Sequence, residues 1–286
     1  MSVASPSARA ATGPVSIRVL PDPVTPDPGV LDYLSASRLK TWQSCRRQFY
    51  YRYVERIQTP TAPALFIGQA VHEILRLHNW SRWKDEPHDS ALLREELRHY
   101  WEREAPLARV AWKSQDDEAA AQVQAWAMLE AYFEQSPVSR TEKPEGVEVR
   151  VECELGGRGI PPLIGIIDLV RPVGVIVDYK TAARTPGTAL AELQHATQLA
   201  CYALLYREAT GQTETGFELH HLIKTKVPKI IISTFGPMSS ARESELFFLI
   251  DDYLEGIAGE RWIPSPGQHC SWCDYAKQCR AQSGIG

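Results

Sequence analysis

The sequence predicts an α/β fold with a mixed central β-sheet flanked by helices, and three observations predict it. After Pro144 three strand patterns follow one another with no helix between them. VEVRVECEL alternates in period two, PLIGIIDLV is mostly apolar, and VGVIVDYKT opens on a nearly unbroken apolar run that suits a strand buried on both faces. A helical pattern from about Thr188 to Thr210 then leads to two further strands, FELHHLIKT and KIIISTF. Helical patterns stand before and after this block, an order that does not fit a doubly wound βαβ series.

Taken in order, residues 1–33 are rich in Pro, Ala, Ser and Thr and lack the apolar run of a signal peptide, so a disordered tail is expected. One folded domain is expected over 34–286. Ser35 and Ser37 are N-cap candidates, and Leu39, Trp42, Phe49 and Tyr53 suit one or two amphipathic helices with basic residues outside. A second helix starts near Gly68 in GQAVHEILRLHNW, with Val71, Ile74 and Leu75 on its apolar side. Helical patterns at 89–104 and 115–135 form an expected insertion spanning about 80–140. The last long helix runs from Ser239 to about Ala258 and stops near Gly259.

With 44% hydrophobic and 23% charged residues the chain has the composition of a soluble protein, and nothing in it suggests a membrane partner. Six cysteines without an export signal argue for a reducing compartment, hence the cytoplasm, and for metal ligation over disulfides. A net charge of −4 does not announce a nucleic-acid binder, but charge is uneven along the chain. Arg38, Lys40, Arg46, Arg47, Arg52 and Arg56 are interleaved with Trp42, Phe49, Tyr50, Tyr51 and Tyr53. Such a segment suits a phosphate backbone with stacked bases, or a solvated helix that packs its aromatics inward. Lys224, Lys226 and Lys229 make a second basic patch, a DNA path or solvated turn charges. No GxxxxGK[ST] loop is present, which excludes an ATP motor of that type.

Two groups of residues carry chemistry. Cys270, Cys273 and Cys279 in CSWCDYAKQC have the reach to hold one metal or cluster, with a fourth ligand from elsewhere. Cys45 is one candidate for that ligand. Closing so long a loop costs roughly 5 kcal/mol, against about 10–16 kcal/mol returned by a structural metal site. The other candidate is His269, with zinc bound and Cys45 a buried thiol. Cys153 and Cys201 lie among apolar neighbours and read as packed thiols. The second group follows the apolar strand: Asp178 and Lys180 share one side and Tyr179 points away. Asp168 reaches the same edge if its strand pairs across the Pro172–Gly174 turn. The group is a hard-metal site with a lysine beside it, or a surface ion pair.

IDLV, DYKT ten residues on and then QLACY together resemble the PD-(D/E)XK nuclease superfamily, in its branch with a Gln-x-x-x-Tyr motif. SASRLKTWQSCRRQFYYRYVERI, GQAVHEIL and the closing CSWCDYAKQC are similar to RecB-like and AddB-like exonuclease domains and to CRISPR-associated exonucleases with an iron-sulfur cluster. Ile167 stands where the motif has proline, and Asp178 where glutamate is commoner. The resemblance implies a restriction-endonuclease-like core with a C-terminal Cys-rich clasp. It implies that Asp168, Asp178, His72 and the Tyr179 carbonyl bind Mg2+ or Mn2+, that Lys180 acts on the attacking water, and that Gln198 and Tyr202 assist from one helix face. It implies a [4Fe-4S] cluster on Cys45, Cys270, Cys273 and Cys279. The function implied is a DNA exonuclease in repair, recombination or defence, with a helicase or CRISPR-type protein as a possible partner. The rival readings are a non-catalytic DNA-binding partner of a helicase-nuclease complex and a zinc-stabilised interaction module. The absence of a motor points to single-stranded DNA.

Overall fold

The computed structural model describes residues 29–284 apart from positions 87, 140, 157 and 158. The expected tail lies almost wholly outside the described residues. The chain enters through α1 (Ala36–Ser44), a short α2 (Arg46–Phe49) that runs into a π-turn (Tyr50–Val54), and α3 (Pro63–Trp83). Next come α4 (Ser90–Leu107) and α5 (Gln115–Gln135), then the hairpin strands β1 (Gly146–Cys153), β2 (Leu163–Arg171) and β3 (Val175–Ala182). Helix α6 (Thr188–Thr210) crosses over to β4 (Gly216–Ile223), which turns into β5 (Lys229–Phe235), followed by α7 (Ser240–Ala258) and the short α8 (Ala276–Gln282).

The sheet keeps sequence order, β1-β2-β3-β4-β5. All neighbours are antiparallel except β3 and β4, which are parallel as the α6 crossover requires. The mixed sheet is the expected one, and Ile176 through Tyr179 are buried on both faces of β3.

Each face carries its own core. Residues Ile176 and Leu219 pack under α1, α6 and α7 with Leu39, Trp42, Cys201 and Tyr253. On the opposite face Val177, Tyr179 and Leu222 pack under α3, α4 and α5 with Phe66, Ile74, Trp101 and Leu129. The two helical patterns at 89–104 and 115–135 therefore supply much of one core. Serine caps start the helices as expected: Ser35 Oγ accepts from the Arg38 amide and Ser239 Oγ from that of Arg242, each at 3.3 Å. Gly211, at φ +67, ends α6 in the left-handed conformation that a side chain would oppose. Gly256 lets α7 approach α1 so closely that an added Cβ would meet the Trp42 ring at 2.1 Å.

The basic segment differs from its expected outward arrangement. Arg38 is buried and donates to the carbonyls of Gly29, Val30 and Tyr33 at 3.1, 3.1 and 2.8 Å. Arg46 pairs with Asp252 at 2.7 Å, and Arg47 donates to the Trp262 carbonyl at 2.8 Å. Trp42, Phe49 and Tyr51 are buried. Arg38 thus fastens the entering chain, since a guanidinium fork can satisfy several carbonyls at once, while Arg46 and Arg47 tie the first helices to α7 and the C-terminal segment. No helix among the described residues is long and apolar enough to cross a membrane.

Candidate active site and cysteine clasp

Strands β2 and β3 pair over only three rungs, from Arg171–Val175 to Leu169–Val177. The next rung would set Asp168 opposite Asp178, and there the strands part. The freed Tyr179 amide donates instead to Asp168 Oδ2 at 3.0 Å, so the carboxylate replaces a ladder acceptor. Tyr179 itself points into the second core, where its hydroxyl accepts from Asn79 at 2.9 Å. Asp178 and Lys180 face α6, as the two-residue spacing predicts.

Three groups hold the Asp178 side chain, which is 1% exposed. Lys180 Nζ lies 2.5 Å from Oδ2, Gln198 Nε2 donates to Oδ1 at 2.9 Å, and the Tyr202 hydroxyl donates to Oδ1 at 3.4 Å. Gln198 also accepts from Lys180 at 3.1 Å and donates to Tyr202 at 2.9 Å. The one-turn spacing of Gln198 and Tyr202 on α6 thus makes a single bracket. Burial is the main reason that the Tyr202 hydroxyl is raised well above its ordinary value.

On the α3 side, His72 Nε2 donates to the Tyr179 carbonyl at 2.9 Å. Its other nitrogen then presents a lone pair to Asp168 Oδ2 at 3.4 Å. Two lone pairs in that relation need a proton or a cation between them. Burial, then the nearby Asp178, raises the Asp168 carboxyl to about 6, opposed by His72. The ligand atoms of His72, Asp168 and Glu148 lie within 4.8 Å of one another, and among the described residues no other such group of His, Cys, Asp or Glu meets that limit. Oxygen and imidazole donors facing one another in this way suit Mg2+ or Mn2+. They line an open cleft of about 500 Å3 with Gly68, Gln69, Glu73 and Thr181.

Glu148 is the site residue that the sequence reading missed. Register places it opposite Asp168, and both strands change faces there: Val147 and Leu169 join the second core, Val149 and Ile167 the first. The change is made in the backbone of Glu148, whose φ of +49 is a left-handed value rare for a glutamate and costs about 1–3 kcal/mol. Burial, then Asp168, raises its carboxyl to about 8. The period-two pattern of VEVRVECEL marks Glu148 as polar-facing but gives no partner.

Cys45, Cys270, Cys273 and Cys279 line one cavity of about 420 Å3, and His269, the other candidate ligand, lines it too, together with Tyr51, Pro266 and Arg280. Cys45 sits where α1 breaks into α2, and its sulfur accepts from the Ser265 amide at 3.5 Å. A single zinc with arms of about 2.3 Å would bring tetrahedral ligand sulfurs to about 3.8 Å. No three of these thiols come within 4.8 Å of one another. Soft thiolates of this kind suit zinc or an iron-sulfur cluster. Cys153 and Cys201 are buried apart from this cavity, with thiols pushed up by burial to about 11 and about 12. His220 is also a packed group, bonded to Glu218 at 2.8 Å and Tyr132 at 2.9 Å.

The family model of the PD-(D/E)XK nuclease superfamily matches residues 33–280. The chain belongs to that superfamily. A PD-(D/E)XK core accounts for the mixed sheet and for carboxylates gathered at its parting strands. Among solved structures, a candidate exonuclease from Eubacterium rectale superposes with a TM-score of 0.58 at 16% identity, over 85% of this chain and 88% of that one. That likeness is one of fold. The crystal structure of SSO0001 is more distant, with a TM-score of 0.42 at 12% identity over 87% of this chain and 86% of that one. No curated protein matches the sequence.

Proposed function

We propose that this PD-(D/E)XK nuclease is a metal-dependent DNA exonuclease that degrades single strands from an end, in repair, recombination or defence. The reading treats residues 34–286 as one nuclease domain with α4 and α5 as its insertion. The observation that carries it is the adjacency, at the rung where β2 leaves β3, of two groups: His72, Glu148 and Asp168 on the α3 side, and Asp178 with Lys180 on the α6 side.

Asp168, Asp178, His72 and the Tyr179 carbonyl would hold Mg2+ or Mn2+, with Glu148 beside them. When bound, the metal polarises the phosphate and lowers the pKa of the attacking water. Lys180, fixed between Asp178 and Gln198, places a positive charge where a water is oriented and where negative charge grows on the phosphate oxygens. Gln198 and Tyr202 keep the Asp178 carboxylate from turning away. Cys45, Cys270, Cys273 and Cys279 would hold a [4Fe-4S] cluster that fastens the first helices to the C-terminal segment.

The test uses end-labelled linear strands, closed single-stranded circles and blunt duplexes, with EDTA or with added Mg2+ or Mn2+. Metal-dependent loss of linear strands alone is expected. Rapid cutting of circles would show an endonuclease, and equal rates on blunt duplex would remove the strand preference.

A further inference from the structure

Beyond the metal-binding groups, a second set of side chains gathers on the α6 side of β3. Lys40 stands on α1, one turn before Gln43, whose side-chain oxygen accepts from Thr197 of α6 at 3.2 Å. It is half-buried and, alone among Arg38, Lys40, Arg46 and Arg47, has no hydrogen bond or ion pair among the described residues. Its electrostatic neighbours are Lys180 and Asp178. Asp178 is already engaged by Lys180, Gln198 and Tyr202. Two ammonium groups therefore share one carboxylate, and only Lys180 is paired with it.

Two imidazoles stand beside them. His221 is opposite Lys180 in the β3–β4 register, 2% exposed, and its Nε2 is buried without a partner. His195 lies one turn before Gln198 on α6, its ring centre 6.4 Å from that of His221, and its Nδ1 is likewise buried without a partner. Burial, then Lys180 and Lys40, lowers His195 to about 4, so at neutral pH the ring offers polar atoms and no charge. A half-buried ammonium without an ion pair and two buried ring nitrogens without partners are costly to keep. An anion seated against Lys40 would relieve the largest of these costs. Phosphate oxygens supply both the negative charge and the missing acceptors.

We propose that Lys40, backed by His195 and His221, forms a phosphate subsite that receives the DNA phosphate next to the one being cut. The proposal rests on the nuclease reading for the identity of its ligand. Lys40 is the charge that meets the phosphate, and the two histidines are positioning residues behind it. The phosphate is either an internal diester of the strand or a terminal monophosphate, and the two sources are separable.

The test reads affinity in EDTA, by fluorescence anisotropy, so it does not depend on turnover. Wild type, Lys40→Ala, Lys40→Arg and His195→Ala are titrated with single strands carrying a 5′-phosphate, a 5′-hydroxyl, or a neutral methylphosphonate moved one linkage at a time from either end. Lys40→Ala is expected to weaken binding of the unmodified strand about tenfold and to lower the slope of log affinity against log salt by about 0.7. Lys40→Arg should retain most of the affinity, which a fold defect would not allow. One methylphosphonate position should cost wild type the same factor and cost Lys40→Ala nothing more. If that insensitivity follows the 5′-hydroxyl instead, the ligand is the terminal monophosphate. His195→Ala should reduce the coupling without altering the salt slope. Penalties that multiply at every linkage and at the terminus, or unchanged binding by Lys40→Ala, overturn the subsite. Absence of cleavage with Mg2+ or Mn2+ would instead overturn the nuclease reading, and the affinity coupling would still decide the subsite.

Discussion

Asp168 Oδ2 accepts the backbone amide of Tyr179 at 3.0 Å, at the first rung where β2 and β3 no longer pair. One carboxylate thus repairs a break in the sheet and belongs to the proposed metal site. Asp168→Asn keeps an acceptor and should fold with stability within about 1 kcal/mol of wild type, while losing cleavage. Asp168→Ala leaves a buried amide unsatisfied and should lose about 1–3 kcal/mol as well. Urea midpoints and cleavage rates, measured on the same preparations, separate the two roles.

The raised carboxyls of Asp168 and Glu148 set a pH dependence for the metal-free protein. Their folded values, about 6 and about 8, lie above those of unfolded carboxyls, so the folded state holds more protons between the two limits. Their contribution to stability in EDTA is therefore fully present below about pH 4 and is lost as pH rises from there to about 8. Glu148→Gln should flatten the upper part of that fall. Thermal melts at stepped pH check it, and a stability that rises over the same range would contradict the assignment.

The bracket on α6 acts through Asp178. Gln198→Ala removes bonds to Asp178, Lys180 and Tyr202 together and should lower activity roughly 10–100-fold, as loss of a group supporting a metal ligand does. Tyr202→Phe removes only the longer contact, at 3.4 Å, and should lose less. Steady-state rates across a Mg2+ titration show whether the loss is in metal affinity.

Protein purified without oxygen should be brown, with iron and acid-labile sulfide in equal amounts. Cys45→Ser should lose the colour as fully as Cys273→Ser, whereas Cys153→Ser and Cys201→Ser keep it. One stoichiometric zinc in a colourless protein would replace the cluster with a zinc clasp.

Legibility in the sequence followed distance along the chain. Asp178 with Lys180, and Gln198 with Tyr202, are fixed by strand and helix periods, and the Pro172–Gly174 turn brings Asp168 within reach. Glu148 was hidden because its partner depends on the register of the β1–β2 hairpin and on one left-handed residue. The arginines of the first helices were hidden for the same reason: Arg46 and Arg47 find Asp252 and Trp262 across 206 and 215 positions. Their charge looked free for DNA because a local pattern does not show a partner so far away.

Strand β3, which carries Asp178 and Lys180, shares three rungs with the strand made before it and eight with the strand made after it. Its principal support is thus synthesised after it, once the chain has run through α6 and returned as β4. His72, meanwhile, waits 107 positions for the carbonyl it faces. A growing chain on the ribosome holds every proposed catalytic group up to Lys180 before it holds the means to seat them. On the proposed function, cutting ability would then arrive only once β4 is in place, and shorter nascent chains would leave the nucleic acid around them intact.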